Sequence, residues 1–266
     1  MFSIEFLHVI REHEIEKIAK HIVPGARVLE IGGGTGYQAQ QLAARGFLVA
    51  SIDVGTTHYK RQRVFPVIEY DGKAFPFREA VFDVVFSSSV LEHVADLGQL
   101  YQESRRVLKK DGYCVHVMPT AVWRFWQGVA NYVELLQRVA PLIPELVPRR
   151  FRLSEWKRPA IVFEELGRLG KQYLRIPRHG ETGNALTELW TFSRRHWVKH
   201  FLRHNFVVIR TEAIGLFYTG HMVLGKHWGL RSRERVAKVL GSATMLYVVQ
   251  PIAAGSLPER RVYRGD

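Results

Sequence analysis

The stretch Arg27-Val-Leu-Glu-Ile-Gly-Gly-Gly-Thr-Gly36 restricts what this chain can fold into more than any other, because it joins a buried strand to a glycine-rich turn. Val28, Leu29 and Ile31 read as a strand covered on both faces, as inside a parallel sheet. The glycines that follow let the backbone turn sharply and come close to a ligand. Ala39, Leu42 and Ala43 recur at helical spacing, so a helix opens near Tyr37. Strand, turn and helix together describe a nucleotide-type cofactor site at the carboxyl end of a central strand.

Several cofactors use such a turn. A dinucleotide site wants glycine at its first, third and sixth places; Gly32 and Gly34 fit, but the sixth place is the bulky Tyr37. A P-loop requires lysine and then Ser or Thr after the last glycine, where Gln38 and Ala39 stand instead. Glu30, two residues before Gly32, would repel a phosphate and suits a cationic, phosphate-free ligand. Glu30 followed by Gly32, Gly34 and Gly36 resembles motif I of the class I S-adenosylmethionine-dependent methyltransferases.

Three further segments strengthen the resemblance. Phe47 to Asp53 reads as a second strand ending in a carboxylate, which can accept hydrogen bonds from two ribose hydroxyls. Val64 to Tyr70 reads as a third strand, followed by Asp71-Gly72 and Phe75-Pro-Phe77; the resemblance implies that the acid here takes the adenine amino group. Phe82 to Val94 looks like the fourth strand and its exit loop, with a phrase similar to the ubiquinone-biosynthesis-like branch. The likeness covers about the first 120 residues. It implies an α/β, Rossmann-like fold with a seven-stranded, mostly parallel sheet and helices on both faces. It also implies S-adenosylmethionine as cofactor, held by Glu30, Gly32, Gly34, Gly36, Asp53, Asp71, Gly72, Ser87 and Ser88. Asp53 and Asp71 each have an alternative reading as turn-forming acids, His93 as a histidine at a helix start, and Asp83 as a structural residue pairing with nearby backbone.

The 266 residues suit one such domain with an insertion, and 47% hydrophobic residues argue against disorder. The lone cysteine, Cys114, reads as a buried strand residue and is compatible with a reducing compartment. The amino terminus reads as an amphipathic helix, not a signal peptide, and no uncharged apolar stretch reaches membrane-spanning length. These features lead to the expectation of a cytoplasmic protein. Charge is uneven: residues 1–120 carry fourteen basic and fourteen acidic side chains, whereas residues 194–266 carry thirteen and four. The excess reads either as a field for an anionic partner or as a solvated basic surface.

Asp96 starts a helix that Asp111-Gly112 ends, Tyr113 to Met118 forms the fifth strand, and Ser193 caps a helix running to His204, with Trp197, Phe201 and Leu202 on one face. Phe206 to Thr211 and Thr244 to Gln250 supply the last two strands. Residues 1–118 and 193–250 are then the cofactor-binding core, 119–192 an inserted helical lid over the ligand crevice, and 251–266 a polar tail. In the lid, Val122, Phe125, Trp126, Val129, Tyr132, Val133, Leu136 and Val139 make a wide apolar helical face, and Arg149, Arg150 and Arg152 follow. That face either packs on the core or meets a membrane interface or greasy substrate, so residues 122–152 are the candidate contact with the inner face of a membrane.

Methyl transfer to oxygen calls for a general base. The candidates are His179, in the loop Arg178-His-Gly-Glu-Thr-Gly-Asn184, then His221, Tyr218 and His116. His196, His200 and His204 recur every four residues without a matching acid or cysteine, so no metal is assigned. The expected activity is S-adenosylmethionine-dependent methylation, at oxygen, of an anionic, glycan or lipid-linked small acceptor. The alternatives are an RNA methyltransferase, disfavoured because Ser87-Ser-Ser89 replaces an Asn/Asp-Pro-Pro-aromatic motif, and a non-catalytic scaffold.

Overall fold

The computed structural model describes residues 4–56, 59–146, 157–174, 176–220 and 228–252. A helix α1 (Ile4–Ala19) leads into β1 (Arg27–Ile31), α2 (Tyr37–Ala44), β2 (Leu48–Val54), β3 (Ile68–Tyr70), β4 (Phe82–Ser88), α3 (Leu97–Val107) and β5 (Leu108–Pro119). The chain continues through α4 (Ala121–Val139), α5 (Lys157–Tyr173), α6 (Thr187–Thr191), α7 (Arg194–Arg203), β6 (Phe206–Ala213), α8 (Leu230–Leu240) and β7 (Thr244–Pro251). The seven strands form one sheet in the order β3-β2-β1-β4-β5-β7-β6. Strands β1 to β5 run parallel, and β7 is antiparallel to both β5 and β6.

Both faces of the sheet are covered, which explains the near-continuous apolar runs of the inner strands. Leu29, Val85, Tyr247 and Val249 face one cluster that includes Tyr101 of α3 and Trp197 and Phe201 of α7. Their sequence neighbours Val28, Val84, Leu246 and Val248 face the other, with Ile15 and Ile18 of α1 and Leu42 of α2. The expected α/β architecture is therefore present. Asp96 and Ser193 cap α3 and α7 by accepting from Gln99 N and His196 N. Asp83 accepts from Arg27 N and Lys109 Nζ, tying β4 to its neighbours.

Local differences have local causes. The third strand pairs only over Ile68–Tyr70, because Pro66 interrupts the segment before it and cannot donate to the ladder. Strand β5 begins at Leu108, directly after α3, and Asp111-Gly112 lies within it. Leu202 is exposed and does not share the buried face of Trp197 and Phe201. Helix α8 was not anticipated: it is short and polar, anchored by Arg233, whose guanidinium lies over the Phe6 ring of α1 at 4.6 Å.

The largest difference concerns α4. Its buried side consists of Trp123, Arg124, Ala130 and Asn131. Most of the apolar stripe points the other way, leaving Phe125 54% and Leu136 67% exposed, with Val122, Val129 and Tyr132 exposed as well. Polar contacts explain the orientation: Arg124 ion-pairs with Glu188 at 2.5 Å, and Asn131 Nδ2 donates to Tyr173 O at 2.7 Å. Residues 147–152 with Arg149, Arg150 and Arg152, the candidate base His221, and the tail from 253 onward lie outside the described residues.

Candidate active site

The strand order reverses between β1 and β4, and the loops leaving these strands open a crevice there, where open α/β sheets bind ligands. After β1 the backbone folds tightly: Gly32 N and Gly33 N both donate to Ile52 O, and Gly36 N donates to Gly33 O at 2.7 Å. Gly36 holds φ +76° at the start of α2, and a Cβ there would lie 2.8 Å from Phe65 Cβ and 3.0 Å from Phe65 O. At Gly32, with φ +72°, a Cβ would meet Val90 at 2.4 Å. Positive φ and close packing against Val90 and Phe65 thus require glycine at both places, and Gly32, Gly33 and Gly34 line the crevice.

Two acids support the turn from below. Asp53, 8% exposed at the end of β2, accepts from Gly34 N at 2.8 Å and from Val54 N at 2.7 Å. Glu30 lies beneath Gly33 and accepts from Ser51 Oγ at 2.6 Å; burial pushes its carboxyl up to about 7. Glu30, read as facing a cationic ligand, is thus placed under the turn. Asp71 is exposed and caps a turn, accepting from Lys73 N and Ala74 N; these bonds hold its pKa below the usual range.

The opposite wall comes from elements that sequence reading treated as plain scaffold. Glu14 of α1 is fully buried and accepts from Arg11, Tyr218 Oη and Thr244 Oγ1, while Arg11 also donates to Ser88 Oγ at 2.6 Å. Burial works to lower the Arg11 pKa, and the adjacent Glu14 carboxylate outweighs it, keeping the guanidinium charged. Tyr218 has its pKa raised by burial, so its phenol remains a neutral donor. Glu14 repeats at four-residue spacing with Ile10 and Ile18, a charge within an apolar stripe. That was the available signal for this network. Ser89, just past β4, holds φ +55°, a conformation uncommon outside glycine.

Helix α4 and the loop before α6 form the third side. Glu188 accepts from His179 N and Gly180 N, both at 2.7 Å, while Arg124 bonds Glu188 and Pro177 O. Glu181 N donates to Glu92 O, so the loop is laced to the exit of β4. His179 is thereby held edge-on to Trp123 at 4.6 Å and to His93 at 4.8 Å between ring centroids. Burial, helped by the neighbouring His93, lowers the His179 pKa to about 4, and burial lowers that of His93 as well.

One cavity of about 350 Å³ joins these walls, lined by Gly32 to Thr35, Arg11, Ser88, Ser89, His93, Trp123, His179 and Tyr218 among others. Of the candidate residues, the fold therefore assembles Gly32, Gly34, Ser88, His179 and Tyr218 around one space. Gly36, Asp53 and Glu30 shape the turn, while Asp71 and Gly72 stand off the lining. Ser87 and His116 are not on it either: both are fully buried and joined side chain to side chain at 2.8 Å, with the His116 ring stacked on Phe201. His196, His200 and His204 form a row of rings along α7, the last two beside Tyr101.

His116 carries a pH consequence. Burial lowers its pKa to about 3, against about 6.5 unfolded. The unfolded chain therefore binds a proton first, and stability present above pH 6.5 is lost as pH falls toward 3. Urea unfolding at pH 6.5 and 4.5 should show the wild type losing on the order of 2 kcal/mol more than His116→Gln. Equal losses in the two proteins would contradict a buried neutral imidazole.

Comparison with known proteins agrees with this geometry. Residues 29–116 match the family model described as a methyltransferase domain. The chain is 37% identical over 119 residues to the biotin biosynthesis bifunctional protein BioHC of Cellvibrio japonicus, covering 41% of this chain and 24% of that one. It is 30% identical over 127 residues to the demethylmenaquinone methyltransferase of Corynebacterium kroppenstedtii (47% and 55% covered). It is 33% identical over 99 residues to the malonyl-[acyl-carrier protein] O-methyltransferase of Geobacter sulfurreducens (34% and 37% covered). The chain thus spans about half or less of the length of these curated relatives. The fold is shared with a SAM-dependent methyltransferase from Aquifex aeolicus, at TM-score 0.51 and 11% identity over 91% of this chain and 92% of that one. With strand order, glycine turn and strand-end acid in place, the chain carries a methyltransferase domain over residues 29–116, within a fold shared with S-adenosylmethionine-dependent methyltransferases.

Proposed function

We propose that the protein transfers a methyl group to an oxygen of a small acceptor that enters the cavity beside α4 and the 177–181 loop. The observation that carries this is a cavity between the glycine turn and a polar wall of Arg11, Ser88, His93, His179 and Tyr218. S-adenosylmethionine supplies an electrophilic methyl group when bound. The glycine turn and Asp53 are the residues to hold it. Arg11, fixed by Glu14, and the neutral Tyr218 phenol orient the acceptor; positioning is the main source of rate in such a displacement. His93 and His179 keep neutral ring nitrogens at pH 7 and can take the proton of an acceptor hydroxyl. The O-methyltransferase among the relatives supports oxygen as the atom methylated.

Calorimetry should show saturable one-to-one binding of S-adenosylmethionine; no binding would reject the activity. With a ¹³C-methyl donor and a panel of hydroxyl, carboxyl and amine acceptors, the product methyl should resonate as an oxygen-bound carbon. A nitrogen- or carbon-bound methyl would reject the oxygen assignment alone.

The exposed face of α4 supports a lipid-linked acceptor met at an anionic bilayer. Phe125, Tyr132 and Leu136 of α4 face outward, with Ile161 and Phe163 of α5 exposed as well, in the basic half of the chain. No described helix is long and apolar enough to cross a membrane, so contact would be at the surface. The protein is expected to sediment with phosphatidylglycerol vesicles, and Phe125→Glu/Leu136→Glu to lower that binding at least about tenfold. No sedimentation even at low salt would rule the contact out.

A further inference from the structure

Behind the His93 and His179 wall of the cavity lies a carboxylate whose burial the fold does not explain. Glu92 belongs to the short turn Leu91–His93 that leaves β4, its side chain is fully buried, and neither carboxylate oxygen has a hydrogen-bond partner among the described residues. Burial pushes its carboxyl up to about 7, against smaller opposing pulls from its own backbone N–H and then the Arg11 charge, and Arg11 itself is bonded to Glu14 and Ser88. Isolated acids of this kind are costly in a protein interior unless a cation or hydrogen bonds compensate.

The groups that face Glu92 are imidazoles. His93 Nε2 stands 3.9 Å from Glu92 Oε1, and one ligand atom from each of Glu92, His93 and His179 lies within 4.8 Å of the other two. His179 comes from the insertion, and the fold works to place it there. The buried Arg124–Glu188 pair holds its backbone, Trp123 packs on its ring, and Glu181 N clamps the loop to Glu92 O. Such outer contacts orient ligand side chains in metal sites.

We propose that Glu92, His93 and His179 form a binding site for one first-row divalent transition metal ion, of the zinc type, on the acceptor side of the cavity. Two neutral imidazole nitrogens and one carboxylate oxygen match the donor preference of zinc and its neighbours, and leave a coordination position open. Magnesium and calcium take all-oxygen sites and suit this set less well. Metal–ligand lengths of about 2.0–2.2 Å put tetrahedral ligand atoms roughly 3.3 Å apart, so modest rotation of the two exposed imidazoles closes the set. The role of the ion rests on the methyl-transfer reading: with the ion bound, His93 and His179 act as ligands in place of bases, and the metal would present a Lewis acid to the acceptor oxygen. Its existence does not rest on that reading.

The test uses the full chain, stripped with a chelator and titrated calorimetrically with Zn²⁺, with Co²⁺ as a spectroscopic probe. One ion per chain is expected, with visible Co²⁺ bands that report nitrogen ligands. His179→Ala and the conservative Glu92→Gln should each weaken Zn²⁺ at least about 100-fold, while His200→Ala, in the ring row of α7, leaves it unchanged. Thermal melting and S-adenosylmethionine titration on the same samples show that the variants are folded. No Zn²⁺ uptake, or uptake unaltered in both site variants, overturns the proposal. Normal S-adenosylmethionine binding alongside that result would leave the methyl-transfer reading standing, whereas lost S-adenosylmethionine binding with Zn²⁺ retained would remove only the latter.

Discussion

Replacing Arg124 with Ala is expected to loosen the 177–181 loop and to cost about 3–5 kcal/mol of stability, because it leaves the fully buried Glu188 carboxylate without its cation. Glu188 would keep the N–H groups of His179 and Gly180, but two amide bonds compensate a buried charge less well than a guanidinium. Pro177 O loses its donor at the same time, so the start of the loop is released while Glu181 N stays on Glu92 O. Hydrogen exchange should show protection lost at 179–181, and urea unfolding should show the lowered stability. The glycine turn shares none of these bonds, so S-adenosylmethionine affinity should stay within about threefold. Unchanged exchange in the loop would mean that the ion pair does not position His179.

Asp53→Ala is expected to weaken S-adenosylmethionine binding by about 100-fold, on the order of 3 kcal/mol, measured by calorimetry. Two effects combine. The carboxylate holds Gly34 N, so the turn loses an anchor, and under the proposed function it is also the strand-end acid that accepts from ribose hydroxyls. Asp71→Ala provides the contrast. Asp71 is exposed and occupied with the turn at Lys73 and Ala74, so its removal should cost no more than about tenfold. An Asp53→Ala protein that binds the cofactor as tightly as wild type would sink the assignment of this wall.

The sheet and the cofactor side were legible because their signals are local. The run Arg27 to Gly36 carries strand, turn and helix start within ten residues, and each follows from side-chain size, backbone freedom or spacing. Asp96 and Ser193 were readable as caps for the same reason, since a cap bonds to a backbone amide three residues on. Helix α8 gives no clear period because its apolar residues cluster at Val236–Leu240 after the polar run 231–235, and Pro66 shortens β3 to Ile68–Tyr70.

The polar wall of the cavity joins residues far apart in the chain. Arg11 and Glu14 meet Ser88, Tyr218 and Thr244, and Glu92 and His93 meet His179, through packing that no neighbouring residue announces. Helix α4 shows why periodicity was insufficient: spacing revealed a stripe, but which face is covered depends on the partner. Here a buried ion pair between residues 64 positions apart turned the other face inward. Periodicity and turn chemistry thus identify most of the sheet and the glycine turn from the chain alone. The contents of the cavity and the outward stripe of α4 follow from long-range contacts, because burial is a property of what packs against a residue and not of the residue itself.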